Sequence, residues 1–191
     1  SRRMGSDKAA LQIGGISLLD RAVSTLQAVV DDVYVSIRSG QAADALRQRY
    51  QVIEDRFDDI GPAAGLLAAH VRFPATAWLV IACDMPLLDS ASLRYLRDER
   101  NEQRHATALT AVAGGRPEPL CAIYEPGTLA AFLKQVKAGG SSGPQAWLAA
   151  VDPLLLVAPE PGVLASANTH AELVSMIEEI ESRPDAANRK P

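Results

Sequence analysis

The sequence predicts an α/β fold: a mostly parallel, mixed sheet clothed by helices. Three observations carry that prediction. Short apolar runs alternate along the chain with helical patterns of about ten to fifteen residues, as in chains of strand–helix–strand units. Trp78 to Ala82 is five consecutive apolar residues, which reads as a strand buried on both faces inside a parallel sheet. Thr107–Ala113 and Leu120–Tyr124 are strand-like runs joined by a loop too short for a parallel crossover, so one strand must run the other way.

The elements follow in order. Ser1 to Lys8 is polar and basic, Ala9 to Leu11 short and apolar, and Gly14-Gly15 a turn. Ser17 to Val30 places Leu18, Leu19, Ala22, Val23, Leu26 and Val29-Val30 on one helical face. Val33–Ile37 is a strand, Ala42 to Tyr50 a helix, and Val52-Ile53 a short strand ending at Glu54-Asp55. After a loop from Phe57, Gly61-Pro62 opens a helix over Ala63 to Phe73. The Trp78 strand stops at Cys83-Asp84-Met85-Pro86, because Pro86 cannot continue a ladder. Asp89-Ser90 caps a helix to Arg100, Asn101 to His105 is a turn, and Gly114 to Pro119 is the loop between the paired runs. Helices over Gly127 to Lys137 and Pro144 to Val151, a strand over Leu154 to Ala158 and a helix over Thr169 to Glu181 complete the pattern. Gly139 to Gly143 is the most flexible-looking interior stretch, and a polar tail over 182–191 is expected to fray. The pattern gives one domain over 1–181.

Composition narrows the function classes. The chain has 191 residues, is 48% hydrophobic and 22% charged, and carries a formal net charge of −4. That balance gives no electrostatic reason to expect nucleic acid or an anionic membrane as partner. No apolar segment approaches the roughly 18 residues of a membrane span, and no signal peptide is evident, so a soluble cytoplasmic protein is expected. Cys83 and Cys121 sit in apolar runs and read as reduced core thiols.

Asp84 is the leading candidate for chemistry, since open α/β sheets bind ligands at the carboxyl ends of their strands. The competing reading, a helix cap, is better filled by Asp89. Arg2-Arg3-Met4-Gly5-Ser6-Asp7-Lys8 packs three cations and a glycine into seven residues. Such a segment suits phosphate oxygens, which backbone amides and cations can both meet, although a solvated basic terminus has the same composition. The GxxxxGK[ST] spacing is absent. His70, His105 and His170 make no metal pair and read as exposed or capping residues. Trp78 and Trp147 read as core, and Cys83 as packing. Arg116 and Glu118 flank a Pro-Glu-Pro turn that is either a charged turn or the lip of a substrate site.

Taken together, SRRMGSDKAAL, GISLLDRAVSTL, VIED, GPAAGL, ACDMPLL, EPLCAIY and ANTHAEL form one ordered series from Ser1 to about Ile177. This series strongly resembles the nucleotidyltransferases that include the molybdenum cofactor guanylyltransferases. The glycine loop with CDMP resembles the guanylyltransferase branch; related cytidylyltransferases usually carry Gln where Met85 stands.

The resemblance implies a three-layer α/β/α sandwich with a Rossmann-like sheet of the nucleotide-diphospho-sugar transferase type. It implies transfer of GMP from GTP to the terminal phosphate of molybdopterin or Mo-molybdopterin, with release of pyrophosphate and with Mg²⁺ as cofactor. Lys8 and Arg3, with the Gly5 backbone, would hold nucleotide phosphates; Asp55 would contact the nucleotide; Gly61 and Gly65 would let backbone approach base or ribose. Asp84 would coordinate Mg²⁺, and Asn168 would stand near the second substrate, with Arg116 at its rim. Transient contacts with proteins that deliver or accept the cofactor are also expected. The alternatives are a nucleotidyltransferase for another phosphorylated acceptor (a sugar phosphate, cobinamide phosphate or a CTP-using cofactor enzyme) and a homologue that binds nucleotide or pterin without turnover.

The chain departs from the family pattern in three places. The family's apolar strand and L-A-G-G turn come just before the segment that opens here at Ser1, and the apolar character of Val33–Ile37 and Trp78–Cys83 calls for a strand between them. Arg38 or Ser36 stands where an asparagine is often found. The family's N-x-N-T-P reads Ser166-Ala167-Asn168-Thr169-His170.

Overall fold

The computed structural model of the chain describes residues 7–41, 43–55, 57, 60–167 and 169–182. Arg3, Gly5 and Asn168, and most of the tail, lie outside these. A 3-10 turn over Lys8–Ala10 leads into a tight hairpin, β1 (Gln12–Ile13) and β2 (Ile16–Ser17). Gly14 and Gly15 make its turn at φ 59° and 80°, conformations that side chains with a Cβ resist. Next come α1 (Leu18–Gln27), β3 (Tyr34–Ile37), β4 (Gln51–Glu54), α2 (Ala63–Arg72), β5 (Trp78–Ile81) and α3 (Ser90–Asp98). The second half holds β6 (Ala106–Thr110), β7 (Cys121–Tyr124), α4 (Pro126–Lys137), α5 (Pro144–Ala150), β8 (Leu154–Val157) and α6 (His170–Ser182).

The strands form two ladders besides the hairpin: β3 parallel to β4, and a four-stranded sheet in the order β5-β7-β6-β8. In the larger sheet β7 is antiparallel to both β5 and β6, while β6 and β8 are parallel. The reversed strand demanded by the short Gly114–Pro119 loop is therefore β7.

Alternation along β6 and β7 creates three layers. Ala106, Ala108, Ala122 and Tyr124 pack with Leu66 and Leu67 of α2, Leu129 and Phe132 of α4, and Trp147 and Leu148 of α5. Leu109, Cys121 and Ile123 pack on the other face with Leu93 and Leu96 of α3. With both faces covered, every residue of β6 and β7 is buried. Trp147 stacks on Phe132 at 4.3 Å between ring centroids, in the core as the sequence suggested.

Four expectations are corrected. The Trp78 strand is only half-buried: β5 has one ladder partner, β7, among the described residues, and a continuous apolar run does not specify how many neighbours a strand has. Over Ala42 to Tyr50 the described residues form turns and a 3-10 turn at Arg47–Arg49 instead of an α-helix. The Asp44 carboxylate accepts the Leu46 and Arg47 amides at 2.9 and 3.3 Å, which offers the backbone a local alternative to helix. The strand expected over Thr107–Ala113 ends at Thr110, whose hydroxyl donates to the Val112 carbonyl at 3.1 Å and turns the chain. His70 is 5% exposed, neither exposed nor capping, because nearly every side of α2 is covered and it touches β3, β4 and β5 as well as α4. Burial lowers its pKa.

β3 and β5 share no ladder among the described residues. Helix α2 spans both strands, and the rings of Tyr34 and Trp78 meet edge-on at 5.8 Å. No helix among the described residues is long and apolar enough to cross a membrane.

Candidate active site

The site grows from the carboxyl end of β5. The ladder with β7 runs on past Ile81, with the Ala82 amide donating to the Leu120 carbonyl at 3.0 Å, then breaks at the Cys83–Asp84 turn. Asp84 keeps its side chain 22% exposed, and Lys8 Nζ lies 2.9 Å from its Oδ2. The two residues are 76 apart in sequence. Asp89 is left to do the capping, its Oδ1 accepting the Ser92 amide at 2.8 Å.

Lys8 arrives there because its neighbours are anchored. Ala9 is buried with Leu19, Val23, Val35 and Ile37, in a cluster that Cys83 also joins. On the other side, Asp7 Oδ1 accepts the Ala9 amide at 3.2 Å and caps the 3-10 turn. Asp7 Oδ2 meets Arg47 Nη1 at 2.7 Å, and this bond above all holds the Asp7 carboxyl below the usual carboxylate range.

A second carboxylate faces the same end. Glu118, in the loop that leads into β7, lies close enough to Asp84 for the two carboxylates to feel each other's charge. Its amide donates to the Leu109 carbonyl at 2.8 Å, and its Oε1 accepts the Leu120 amide at 3.0 Å. Burial first, then the Asp84 charge, raises the Glu118 pKa against the pull of the Leu120 amide. The Tyr124 hydroxyl donates to the Pro119 carbonyl at 2.8 Å and ties this loop to the core. Cys83, beside Asp84, has its thiol pushed up to about 11, chiefly by burial. It packs, as expected.

The remaining sequence candidates divide. The segment before Asn168 is anchored on the site, the Ala167 amide donating to the Asp84 carbonyl at 2.8 Å. Asp55 closes β4, its amide donating to the Ile37 carbonyl at 2.8 Å, so it stands at the carboxyl ends of the β3–β4 pair. Gly61 takes φ 61° at the entrance to α2. Gly65 lies tight against β3: a Cβ there would lie 2.2 Å from Ser36 Oγ. Arg116 is exposed on the loop beside Glu118. Sequence reasoning missed Arg47, whose partner lies 40 positions earlier with no periodicity to signal it. Glu118's nearness to Asp84 depends on the pairing of β5 with β7, which the sequence did not predict.

A family model described as MobA-like NTP transferase domain matches residues 1–174. The chain belongs to the MobA-like NTP transferase family. The "Probable molybdenum cofactor guanylyltransferase" of Mycobacterium avium is 33% identical over 181 residues, 91% of this chain and 88% of that protein. The "Molybdenum cofactor biosynthesis bifunctional protein" of Synechocystis sp. is 31% identical over 139 residues, 73% of this chain but 40% of that longer protein. The crystal structure of molybdopterin-guanine dinucleotide biosynthesis protein A from Archaeoglobus fulgidus superposes with TM-score 0.75 at 23% identity, covering 95% of this chain and 93% of that one. That likeness carries the fold: the chain has the nucleotidyltransferase architecture expected from its motifs.

Proposed function

We propose that this MobA-like NTP transferase is a molybdenum cofactor guanylyltransferase, moving GMP from GTP to the terminal phosphate of molybdopterin. The observation that carries the reading is the 2.9 Å meeting of Lys8 and Asp84 at the end of β5, which joins the two family motifs in one place. An oxygen of the acceptor phosphate attacks the α-phosphorus of GTP, a new P–O bond forms, the α–β bridge breaks, and pyrophosphate leaves with the bridging oxygen and its electron pair. The nucleophile is already anionic, so no protein nucleophile is needed and the work falls to positioning and charge.

Lys8 would turn from Asp84 to the nucleotide phosphates, and Arg3 with the Gly5 backbone would join it. Asp55 and Gly61 would border the nucleoside. Asn168 and Arg116 would border the acceptor. The Asp84 carboxylate is a hard oxygen donor, half-open at a strand end, and fits Mg²⁺. When bound there, Mg²⁺ would offset charge on the phosphates. Two thiols without a disulfide, Cys83 and Cys121, suit a reducing compartment such as the cytoplasm. Proteins that hand over or receive the labile product would dock transiently.

The test is GTP-dependent pyrophosphate release measured with molybdopterin and Mg²⁺. Release that requires molybdopterin and prefers GTP over CTP supports the reading. Release with a sugar phosphate in place of molybdopterin, or tight GTP binding with no release, sinks it.

A further inference from the structure

We infer that Arg47 is a positioning residue for the phosphate-binding lysine: it holds Asp7, and through Asp7 it fixes where Lys8 points. The inference rests on the reading of Lys8 as a phosphate ligand. Arg47 lies in the turn between β3 and β4, with its side chain 8% exposed. Its Nη1 sits 2.7 Å from Asp7 Oδ2 and 2.9 Å from Asp44 Oδ2.

The two carboxylates have different jobs. Asp44 belongs to the same turn, and its other oxygen already accepts the Leu46 and Arg47 amides, so it completes local structure. Asp7 comes from a distant part of the chain and adjoins Lys8. A turn of this kind has no need of a buried guanidinium for its own sake, since an apolar side chain fills such a place at no electrostatic cost. The Asp44–Arg47–Asp7 chain makes sense as a tether from the β3–β4 crossover to the lysine.

The tether controls Lys8 from one side while Ala9, in the core, controls it from the other. Asp7 spends one oxygen on Arg47 and the other on the Ala9 amide, so both ends of its carboxylate are fixed. A lysine carries a long flexible stem, and its aim depends on how firmly its backbone is held. Removing Arg47 would leave the ammonium in the site but no longer directed. The loss would fall on the β- and γ-phosphates that GTP has and GMP lacks, and spare the nucleoside monophosphate.

Calorimetric binding of GTP and GMP with Mg²⁺ tests this on the full chain and on Arg47→Gln, Arg47→Lys and Lys8→Met, with melting temperatures alongside. The expected result for Arg47→Gln is a rise of about tenfold in the GTP Kd with less than about a twofold change for GMP. Arg47→Lys should fall between, because it keeps the charge but its nitrogen, one bond nearer the backbone, stops short of the place where Nη1 meets both carboxylates. In a Lys8→Met background, Arg47→Gln should cost nothing more. Should Arg47→Gln fail to fold, Asp7→Asn breaks the same link, keeps an acceptor for the Ala9 amide, and should give the same GTP-selective loss. Equal weakening of GTP and GMP, or unchanged GTP binding in both link-breaking variants, overturns the inference while Lys8→Met still weakens GTP. If Lys8→Met leaves GTP binding untouched, the functional reading of Lys8 falls and takes the inference with it.

Discussion

The two ends of the four-stranded sheet each carry an ion pair, and the pairs are built differently. At the amino ends of β5 and β6, Arg100 grips Glu125 through two parallel bonds of 2.8 Å, Nε to Oε1 and Nη2 to Oε2. Glu125 is 9% exposed and its amide also donates to the His105 carbonyl. At the carboxyl end, Lys8 Nζ meets Asp84 Oδ2 at 2.9 Å, and both side chains keep roughly a fifth of their surface open. A bidentate guanidinium pair specifies geometry and stays shut; an ammonium on a flexible stem can exchange one anion for another. One end of the sheet is closed by its charges. The other is left ready to exchange them.

The largest expected effect is at the open end. Asp84→Ala should lower guanylyltransferase activity by about 10²-fold or more, the scale of losing a group that acts on transition-state charge. The melting temperature should fall only modestly: the single ammonium–carboxylate contact, with about a fifth of each side chain open to water, is worth about 1–2 kcal/mol. A large loss of stability together with intact activity would break the contrast by making Asp84 a structural residue.

The reverse is expected at the closed end. Glu125→Gln strands a half-buried Arg100, and thermal denaturation should show a cost of about 2 kcal/mol. For a domain of this size that is a fall of about 4–8 °C in Tm. The kcat/KM, measured well below the melting range, should stay within about twofold of the parent. A selective loss of activity would mean that the two ends are coupled.

How much of this was legible in the sequence depends on the distance over which each feature is decided. Asp84 was legible because a strand end followed by Pro86 is a local event, and Asp89 because capping is one too. β7 was legible as the reversed strand because a short loop forbids a crossover. The fold class followed from these. Half-burial of β5 was not legible: Trp78 to Ile81 has no polar residue to reveal it, and Thr107 and Thr110 in fully buried β6 point the other way. Position in the sheet decides burial, and strand order is a long-range property. The same reason hid the Asp7–Arg47 link and made the Asp44 turn look like a helix. Lys8 was placed by its motif, but its meeting with Asp84 required the fold.

A smaller effect, read by pH, probes the floor of the open end. Burial pushes the Cys83 thiol up to about 11, against an ordinary value of 9.0. The folded state therefore holds this proton more tightly than the unfolded state does. Its contribution to stability is complete below pH 9 and is lost as pH rises toward 11, by no more than about 2 kcal/mol. Denaturant titrations of the parent and Cys83→Ala should run parallel up to pH 9 and converge above it. Parallel lines throughout would place the thiol in contact with water.

The smallest effect tests whether the closed end owes its stability to burial or merely to pairing. Arg104 and Asp152 pair at that same end at 2.9 Å, but Asp152 is 90% exposed and Arg104 39%. Arg104 also donates to the Asp152 carbonyl at 2.9 Å, a bond that survives any change of side chain. Asp152 has φ 50°, a conformation asparagine tolerates as well as aspartate does, so Asp152→Asn removes the charge and little else. Screening by water should keep the cost within about 0.5 kcal/mol, and added salt should erase it. The Glu125→Gln cost should persist in the same salt, because the Glu125 carboxylate is only 12% exposed and the fork rests on two short bonds rather than on long-range charge. Should the two variants cost the same, the charge count at the amino end, and not the enclosure of the Arg100–Glu125 fork, would be what closes that end of the sheet.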